Sequence, residues 1–256
     1  MDVSLITKKD YKVSLEISET DYITMNTIRR LILEEVPTLA IEEVHFLKNS
    51  SALYDEMLAL RFGLVPLKTD LDSYVLPEQG KRENDPSTFV NFKLKVAGPA
   101  NVYAEDLKPQ DPEIVPVYHK LLITKLLKNQ QLELEAKAIL GTGRQHMKFA
   151  PGLPYYHHKY KVTVKQKDPG SFKSKYPPQI FDEFGKIDPK LINTVILIDA
   201  CKYVNSDIID VKEEKDTFEF HFESWGQLEI KEVFSEAIKI FEEKLDGFEK
   251  ELKKIK

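Results

Sequence analysis

The C-terminal segment carries the most constraining pattern in the sequence. Its apolar side chains recur at alternating intervals of four and three residues, at Phe234, Ile238, Phe241, Leu245, Phe248, Leu252 and Ile255. This spacing is typical of the a/d seam of a helix that packs against other helices in a nearly parallel way. Fully burying one such side chain is worth about 1.5–3 kcal/mol, so seven left in water together would favour aggregation. We expect a helix near 229–254 whose apolar seam, these seven residues, is covered by another chain or by the sheet of its own chain.

A second amphipathic helix is predicted near the N-terminus. Val13, Leu15 and Ile17 alternate with polar residues, which indicates a half-buried strand, and residues 18–21 offer an N-cap. Apolar residues then recur every three or four positions from 22 to 36, and Pro37 ends the helix. The apolar face of this helix is formed by Met25, Ile28, Ile32 and Val36.

The rest of the chain mixes strands, short helices and loops. Alternating apolar residues or turn signals predict strands over 39–47, 90–96, 114–122 and 132–140, a helix over 51–60, and loops over 77–88 and 141–154. A stretch rich in Lys, Pro and Gly at 168–188 is the best candidate domain boundary. This order of elements predicts an α+β fold.

Composition narrows the functional classes. The chain is 42% hydrophobic and 31% charged with a formal net charge of -5, which argues against a protein that coats nucleic acid. Cys201 is the single cysteine, so the chain has no disulfide framework and no four-cysteine metal site. Since no apolar run approaches the roughly 18 residues of a membrane span, we expect a soluble, cytoplasmic protein.

Two stretches near the N-terminus resemble family signatures. Residues 26–31 (NTIRRL) continue through 35–41 (EVPTLAI), and a second stretch follows at 55–67 (DEMLALRFGLVPL). Both resemble, in the right order, the signatures of the RNA polymerase family that contains the bacterial α, the archaeal D-like and the third-largest eukaryotic subunits. The resemblance continues at 102–107, 132–136 and 141–146, and covers nearly the whole chain. It is closest to the archaeal D-like members.

The resemblance implies a fold in three parts. A discontinuous dimerisation domain of sheet and two helices would take residues 1–47 and 216–256, a mainly β insert domain 48–166, and a small ferredoxin-like domain 167–215. It implies a non-catalytic assembly subunit of DNA-directed RNA polymerase that functions in transcription. Such a subunit pairs with a small L-like subunit, and the heterodimer recruits two small zinc-binding subunits and the second-largest catalytic subunit. Neither sequence-specific DNA contact nor membrane binding is expected.

The implied interface lies on both amphipathic helices and the second signature. Its residues are Met25, Ile28, Arg29, Arg30, Ile32, Arg61, Phe234, Ile238, Phe241, Leu245, Phe248 and Leu252. Only five arginines occur in the chain, and three of them are in this set. Guanidinium groups suit multidentate contacts at interfaces. The alternative is that each of these arginines caps a helix or pairs within the chain, with Glu34, Glu35, Asp55 or Glu56.

No cofactor is expected. Some relatives of this type bind an iron–sulfur cluster in the ferredoxin-like domain, and residues 177–181 and 198–203 resemble its two ligand-bearing stretches, yet only Cys201 remains. A four-iron cluster needs about four thiolates. The domain would then depend on an apolar core supplied by Ile180, Phe181, Val195, Ile196, Leu197, Ile198 and Val204.

Two motifs that could suggest chemistry are better interpreted structurally. Residues 141–144 (GTGR) lack the later Gly-Lys-Ser/Thr of a phosphate loop and are predicted to be a turn. His157 and His158 have no cysteine or carboxylate at metal-ligand spacing. Two other functions stay open: a self-associating α-like scaffold whose seam forms a homodimer, and an independent enzyme with a polar pocket that no local spacing indicates.

Overall fold

The computed structural model describes residues 1–80 and 85–255, and it contains ten strands and four α-helices in this part of the chain. The helices are α1 (Tyr22–Glu34), α2 (Asp55–Gly63), α3 (Val195–Lys202) and α4 (Ile230–Leu252). The strands are β1 (Asp2–Lys9), β2 (Lys12–Ser18), β3 (Thr38–Asn49), β4 (Phe89–Ala97), β5 (Ala100–Tyr103), β6 (Lys108–Pro109), β7 (Leu122–Leu126), β8 (Gln131–Gly141), β9 (Gly152–Val164) and β10 (Ile209–Ser224). The predicted α+β fold is confirmed.

The chain divides into two compact units. The first unit contains residues 1–5, 15–25 and 156–220, and the second contains 6–14, 26–155 and the chain from 221 onward. The three predicted domains, 1–47 with 216–256, 48–166 and 167–215, stay predictions. None of the four α-helices in the part that the structure describes is both long and apolar enough to cross a membrane.

The first unit combines a sheet with a small separate core. The sheet has the strand order β1-β2-β10-β9, and each of its four strands contributes residues to the first unit. Beside the sheet, short 3-10 turns and α3 enclose a core of Tyr176, Ile180, Ile187, Ile192, Cys201, Ile208 and Ile209. The Thr194 hydroxyl caps α3 by accepting a hydrogen bond from Leu197 N (3.4 Å). Helix α3 therefore begins where the sequence offers a cap.

Two of the seven predicted core residues of this unit are not part of its core. Ile180 is fully buried, and Phe181, Leu197, Ile198 and Val204 pack against the core as predicted. Val195 is half-buried outside this core, and Ile196 is 82% exposed. On a helix, residues one position apart lie about 100° apart around the axis, so Ile196 cannot share the buried face with both Leu197 and Cys201.

The second unit is built on an antiparallel sheet in the order β3-β8-β4-β6, accompanied by the pair β5-β7. β3 and β8 pair from Thr38–Gly141 to Asn49–Leu132, and the other edge of β8 pairs with β4. Val90, Phe92 and Leu94 are buried, as the alternation in β4 predicted. Leu58 and Phe62 of α2 belong to the same core. The strands predicted over 39–47, 90–96 and 132–140 are confirmed.

Two predicted elements of this unit are misplaced. The strand expected over 114–122 is not formed, because Pro116 lacks the N–H that a ladder requires and makes only an isolated bridge with Leu67; the strand there is β7, which begins at Leu122. The helix expected over 51–60 begins only at Asp55. Ser51 N donates to Asn49 Oδ1 and Leu53 N donates to Ser51 Oγ, so side chains hold the preceding residues in a turn.

Candidate subunit interface

Helix α4 has one packed end and one unpacked end. Near its N-terminus Val233 and Ala237 are buried, and the ring of Phe234 packs edge-on against Phe222 with centroids 5.8 Å apart. From Phe241 onward every described residue of the helix is exposed. A Cβ added at Gly247 would meet no atom within 4 Å. The second half of α4 therefore contains no buried residue.

The apolar seam lies mainly on this unpacked part. Ile238, Phe241, Leu245, Phe248 and Leu252 are between 39% and 64% exposed, and Ile255 beyond the helix is exposed as well. Phe234 is half-buried. The predicted helix is confirmed, and the alternative in which the sheet of the same chain covers the whole seam is not what the structure shows.

Helix α1 differs from α4 in where its apolar face points. Met25 and Ile32 are 0% exposed, so both belong to the interior of the chain and not to a surface that a partner can reach. Ile28 and Arg29 are half-buried, and Arg30 is exposed. Of the α1 residues predicted at the interface, Ile28, Arg29 and Arg30 remain available for contact.

The two arginines of α1 have partners on their own helix. Arg29 donates to Asn26 Oδ1 from Nε (3.2 Å) and Nη2 (3.0 Å). Arg30 makes a bidentate pair with Glu34, with both distances at 3.0 Å. This pair lowers the pKa of Glu34 and raises the pKa of Arg30, mainly through the side-chain hydrogen bonds. Of the two roles considered for Arg30, contact with a partner or pairing within the chain, the chain alone shows the second.

One ion pair connects the residue that follows α1 with α4, and a second ion pair connects the same residue with a neighbouring turn. The Glu35 carboxylate, which follows α1, lies 2.7 Å from Lys244 Nζ and 2.9 Å from an Arg144 Nη. Arg144 N also donates to Glu34 O (3.0 Å), which satisfies one of the last carbonyls of α1. A Cβ at Gly143 would lie 1.9 Å from Leu33 O. The GTGR stretch is therefore a turn that packs on the end of α1.

Arg61 is held by its own unit. It lies in the last turn of α2, and its Nη1 donates to the carbonyl oxygen of Ile123 in β7. This partner is a main-chain carbonyl and not one of the four carboxylates considered for Arg61, and in the chain alone the guanidinium therefore has an intrachain role.

Helix α2 also presents a surface that the sequence interpretation missed. Tyr54, Met57, Leu60 and Leu64 are spaced by three or four residues, and all are between 46% and 79% exposed. The opposite face of α2 carries the buried Leu58 and Phe62. The four residues form a second exposed apolar stripe, here called the α2 stripe. Their spacing could have revealed it, but it overlaps that of the buried face.

The residues of the first unit do not fit an iron–sulfur cluster. Cys201 is the chain's single cysteine, it is 0% exposed among the apolar residues of the small core, and burial raises its pKa. Cluster ligation needs several thiolates, which this environment disfavours. His158 packs against Phe218 (4.4 Å between ring centroids) and His157 stacks on Tyr160 (6.0 Å).

Comparisons with known proteins identify the class to which this architecture belongs. The family model of the RNA polymerase Rpb3/RpoA insert domain matches residues 41–151. Along nearly the full chain, DNA-directed RNA polymerase subunit Rpo3 of Pyrococcus horikoshii is 32% identical, over 99% of this chain and 98% of the relative. The protein of the same name from Thermococcus kodakarensis is 33% identical over 100% and 99%, and that of Halobacterium salinarum 31% over 97% and 96%. The chain belongs to the family of archaeal RNA polymerase subunit Rpo3.

Proposed function

We propose that this chain is a non-catalytic assembly subunit of an archaeal-type DNA-directed RNA polymerase, and that its apolar seam pairs with a small L-like subunit. The observation that carries the proposal is the exposure of five seam residues along one face of α4. A side chain that is about half exposed retains roughly 1 kcal/mol of transfer free energy that a partner can recover. Five such residues in one row give a partner helix a continuous contact.

The proposed contact surface is narrower than the sequence alone suggested. It comprises the seam from Ile238 to Leu252, flanked by Phe234 and by Ile28, Arg29 and Arg30 of α1. Met25 and Ile32 are not part of it, since neither is exposed. We assign Arg61 to the chain's own stability.

The exposed α2 stripe supports the proposal that this chain contacts more than one partner. It lies on a different helix from the seam and is likewise exposed. An assembly platform needs separate surfaces for its pairing partner and for the subunits it recruits. We propose that the two small zinc-binding subunits and the second-largest catalytic subunit bind after pairing, and that the α2 stripe takes one of them. The assembled enzyme would act in the cytoplasm, without contacts from this chain to a membrane.

We further propose that residues 167–215 fold without a metal or a cluster. The buried core around Ile180, Ile187 and Ile209 supports this, because burial of apolar groups can replace stabilisation by a metal. Metal analysis and a visible absorption spectrum of protein purified without oxygen test it. Near-stoichiometric iron, lost together with the fold of this segment in Cys201→Ser, would show that the proposal is wrong.

The pairing is tested by co-expression with an L-like subunit and measurement of mass in solution. The double variant Phe241→Asp with Leu245→Asp should not co-elute at micromolar concentration, because the two charges would have to be desolvated without partners. The control is Lys239→Gln with Lys250→Gln, which changes the net charge equally on the same helix but off the seam. It should pair like the wild type.

Other outcomes of the same experiment identify the alternatives. A stable homodimer of the chain alone would support the self-associating scaffold, and a well-behaved monomer that ignores the L-like subunit would support an independent protein. The purified chain should also show no template-dependent nucleotide incorporation. Incorporation in the absence of the large subunits would overturn the assembly role.

A further inference from the structure

We propose that the first unit carries a binding site for single-stranded nucleic acid, formed by Lys167, Lys173, Phe184 and Lys186 and here called the basic tip. The inference goes beyond the assembly role, because all four residues belong to the first unit and none lies on the apolar seam. The site combines one exposed aromatic ring with three lysines that surround its base.

The turn that carries Phe184 is held by a β-bridge and by hydrogen bonds. Phe181 and Ile187 pair as an isolated antiparallel bridge, and Asp182 N donates to Lys186 O (2.8 Å). The Asp182 carboxylate accepts hydrogen bonds from Phe184 N (2.9 Å) and Lys186 N (2.8 Å). Gly185 takes a φ of +71°, which an L side chain rarely adopts. The Phe184 side chain, 87% exposed, therefore projects from a hydrogen-bonded turn.

The three lysines are brought to this turn by the fold. Ile187 N donates to Lys167 O (2.8 Å), which places Lys167 beside the base of the turn. Lys173 Nζ lies 5.4 Å from the Phe181 ring centroid and would be 2.5 Å from a Cβ at Gly185. Lys186 is part of the turn. Within residues 1–80 and 85–255, the side chains of these three lysines form no ion pair with a carboxylate.

The local charge is opposite to that of the chain. Between residues 156 and 190 there are eight lysines against four acidic residues, whereas the whole chain has a net charge of -5. Asp168, Asp182 and Asp188 each accept hydrogen bonds from backbone N–H groups of their own turns. Glu183, the fourth acidic residue, is exposed next to Phe184. These hydrogen bonds do not remove the negative charges, so all four carboxylates still oppose a polyanion, and the excess of eight lysines over four acidic residues is what favours one.

The exposed ring favours nucleic acid over an acidic peptide. Every base has a π face that can stack on a phenylalanine, while lysines contact the phosphates, and this combination is typical of sequence-independent single-strand sites. An acidic peptide would use the lysines but has no planar group for the ring. A single exposed aromatic residue is ordinary on protein surfaces. Its combination with three lysines without ion pairs carries the inference.

The test uses the full chain, paired with the L-like subunit. The probe is a fluorescein-labelled oligodeoxythymidine of about 20 nucleotides, which is longer than a typical single-strand binding site. We expect micromolar affinity at low salt. Phe184→Ala should weaken binding about tenfold, and Glu183→Gln should strengthen it. Lys167→Gln with Lys173→Gln and Lys186→Gln should weaken binding and lower the slope of log K against log salt by about two.

The matched control is Lys120→Gln with Lys125→Gln and Lys128→Gln, which removes three exposed lysines of the second unit. It should leave both the affinity and the salt slope unchanged. The inference is overturned if the wild type does not bind, if this control weakens binding as much as the tip variant, or if polyglutamate displaces the oligonucleotide as well as unlabelled oligodeoxythymidine does. Intact pairing in the tip variant would separate this result from the assembly role.

Discussion

Helices α1 and α4 have the same kind of sequence pattern but different surroundings. In both, apolar residues recur every three or four positions. In α1 they point into the chain, and Met25 and Ile32 are fully buried; in α4 they point away from it, and the seam from Ile238 to Leu252 is largely exposed. Periodicity thus shows that a helix has an apolar face, but not whether its own chain or a partner covers that face.

The largest expected effect is a difference in the free energy of unfolding between a variant in α1 and a variant in α4. Ile32→Ala should destabilise the chain by about 2–5 kcal/mol, because it opens a cavity in a packed interior. Leu245→Ala should change the free energy of unfolding by less than about 0.5 kcal/mol in the chain alone, since Leu245 is at the surface and 51% exposed. Urea unfolding of the unpaired chain measures both. Equal losses in the two variants would mean that the two surfaces do not differ as described.

The next largest changes in stability are expected at two glycines, one beside the end of α1 and one on α4. Gly143→Ala should cost about 1–3 kcal/mol, because the new Cβ would overlap Leu33 O at the end of α1. Gly247→Ala should stabilise the chain by up to about 1 kcal/mol, because its Cβ would meet open space on α4 and alanine favours a helix. Thermal or urea unfolding gives both values. A destabilising Gly247→Ala would reveal a contact on the open half of α4.

A smaller effect is expected at the connection between the helices. Glu35 contacts both Lys244 and Arg144, and its side chain is only 16% exposed. Glu35→Gln should destabilise the chain by about 0.5–1.5 kcal/mol, less at high salt, because it removes the shared negative charge. Leu245→Ala is again the control. Destabilisation that does not change with salt would assign the loss to packing.

The smallest effect is a pH dependence at the end of α1. The hydrogen bonds from Arg30 hold the pKa of Glu34 below its usual 4.5. A carboxyl group with a lowered folded-state pKa stabilises the fold above its unfolded-state value, and this contribution is lost as pH falls through the folded-state value. Glu34→Gln should therefore be less stable than wild type at pH 7, and the difference should shrink below pH 4.5. A difference that grows on acidification would contradict the pairing.

The sequence predicted those elements whose pattern is local. The α+β fold, α1, α4, β4 and β8 all follow from spacing and from Pro37. Strand β1 was not predicted, because Val3 and Leu5 alternate with polar residues only until Ile6 breaks the pattern, and all eight residues of the strand are exposed. The strand expected over 114–122 was predicted from apolar content and ignored Pro116. Local sequence also gives no information about distant partners, such as Ile123 O for Arg61 or Lys244 for Glu35.

At the candidate interface, too, spacing along the sequence predicted the apolar pattern but not the contacts of individual side chains. The seam was identified from spacing, and its exposure agrees with a surface left for a partner. Arg30 was weighed between two roles, and only the structure shows its bidentate pair with Glu34. The exposure of Phe184 follows from the hydrogen bonds of Asp182, which composition does not predict.

Amide hydrogen exchange, compared between the chain alone and the chain paired with an L-like subunit, tests the central claim most directly. Residues 241–252 should exchange quickly in the chain alone and become strongly protected in the pair, because pairing supplies the packing that this half of α4 lacks. Leu31, Ile32 and Val36, which are already buried, should change little. Protection of 241–252 in the chain alone, or its absence in a stable pair, would contradict the account.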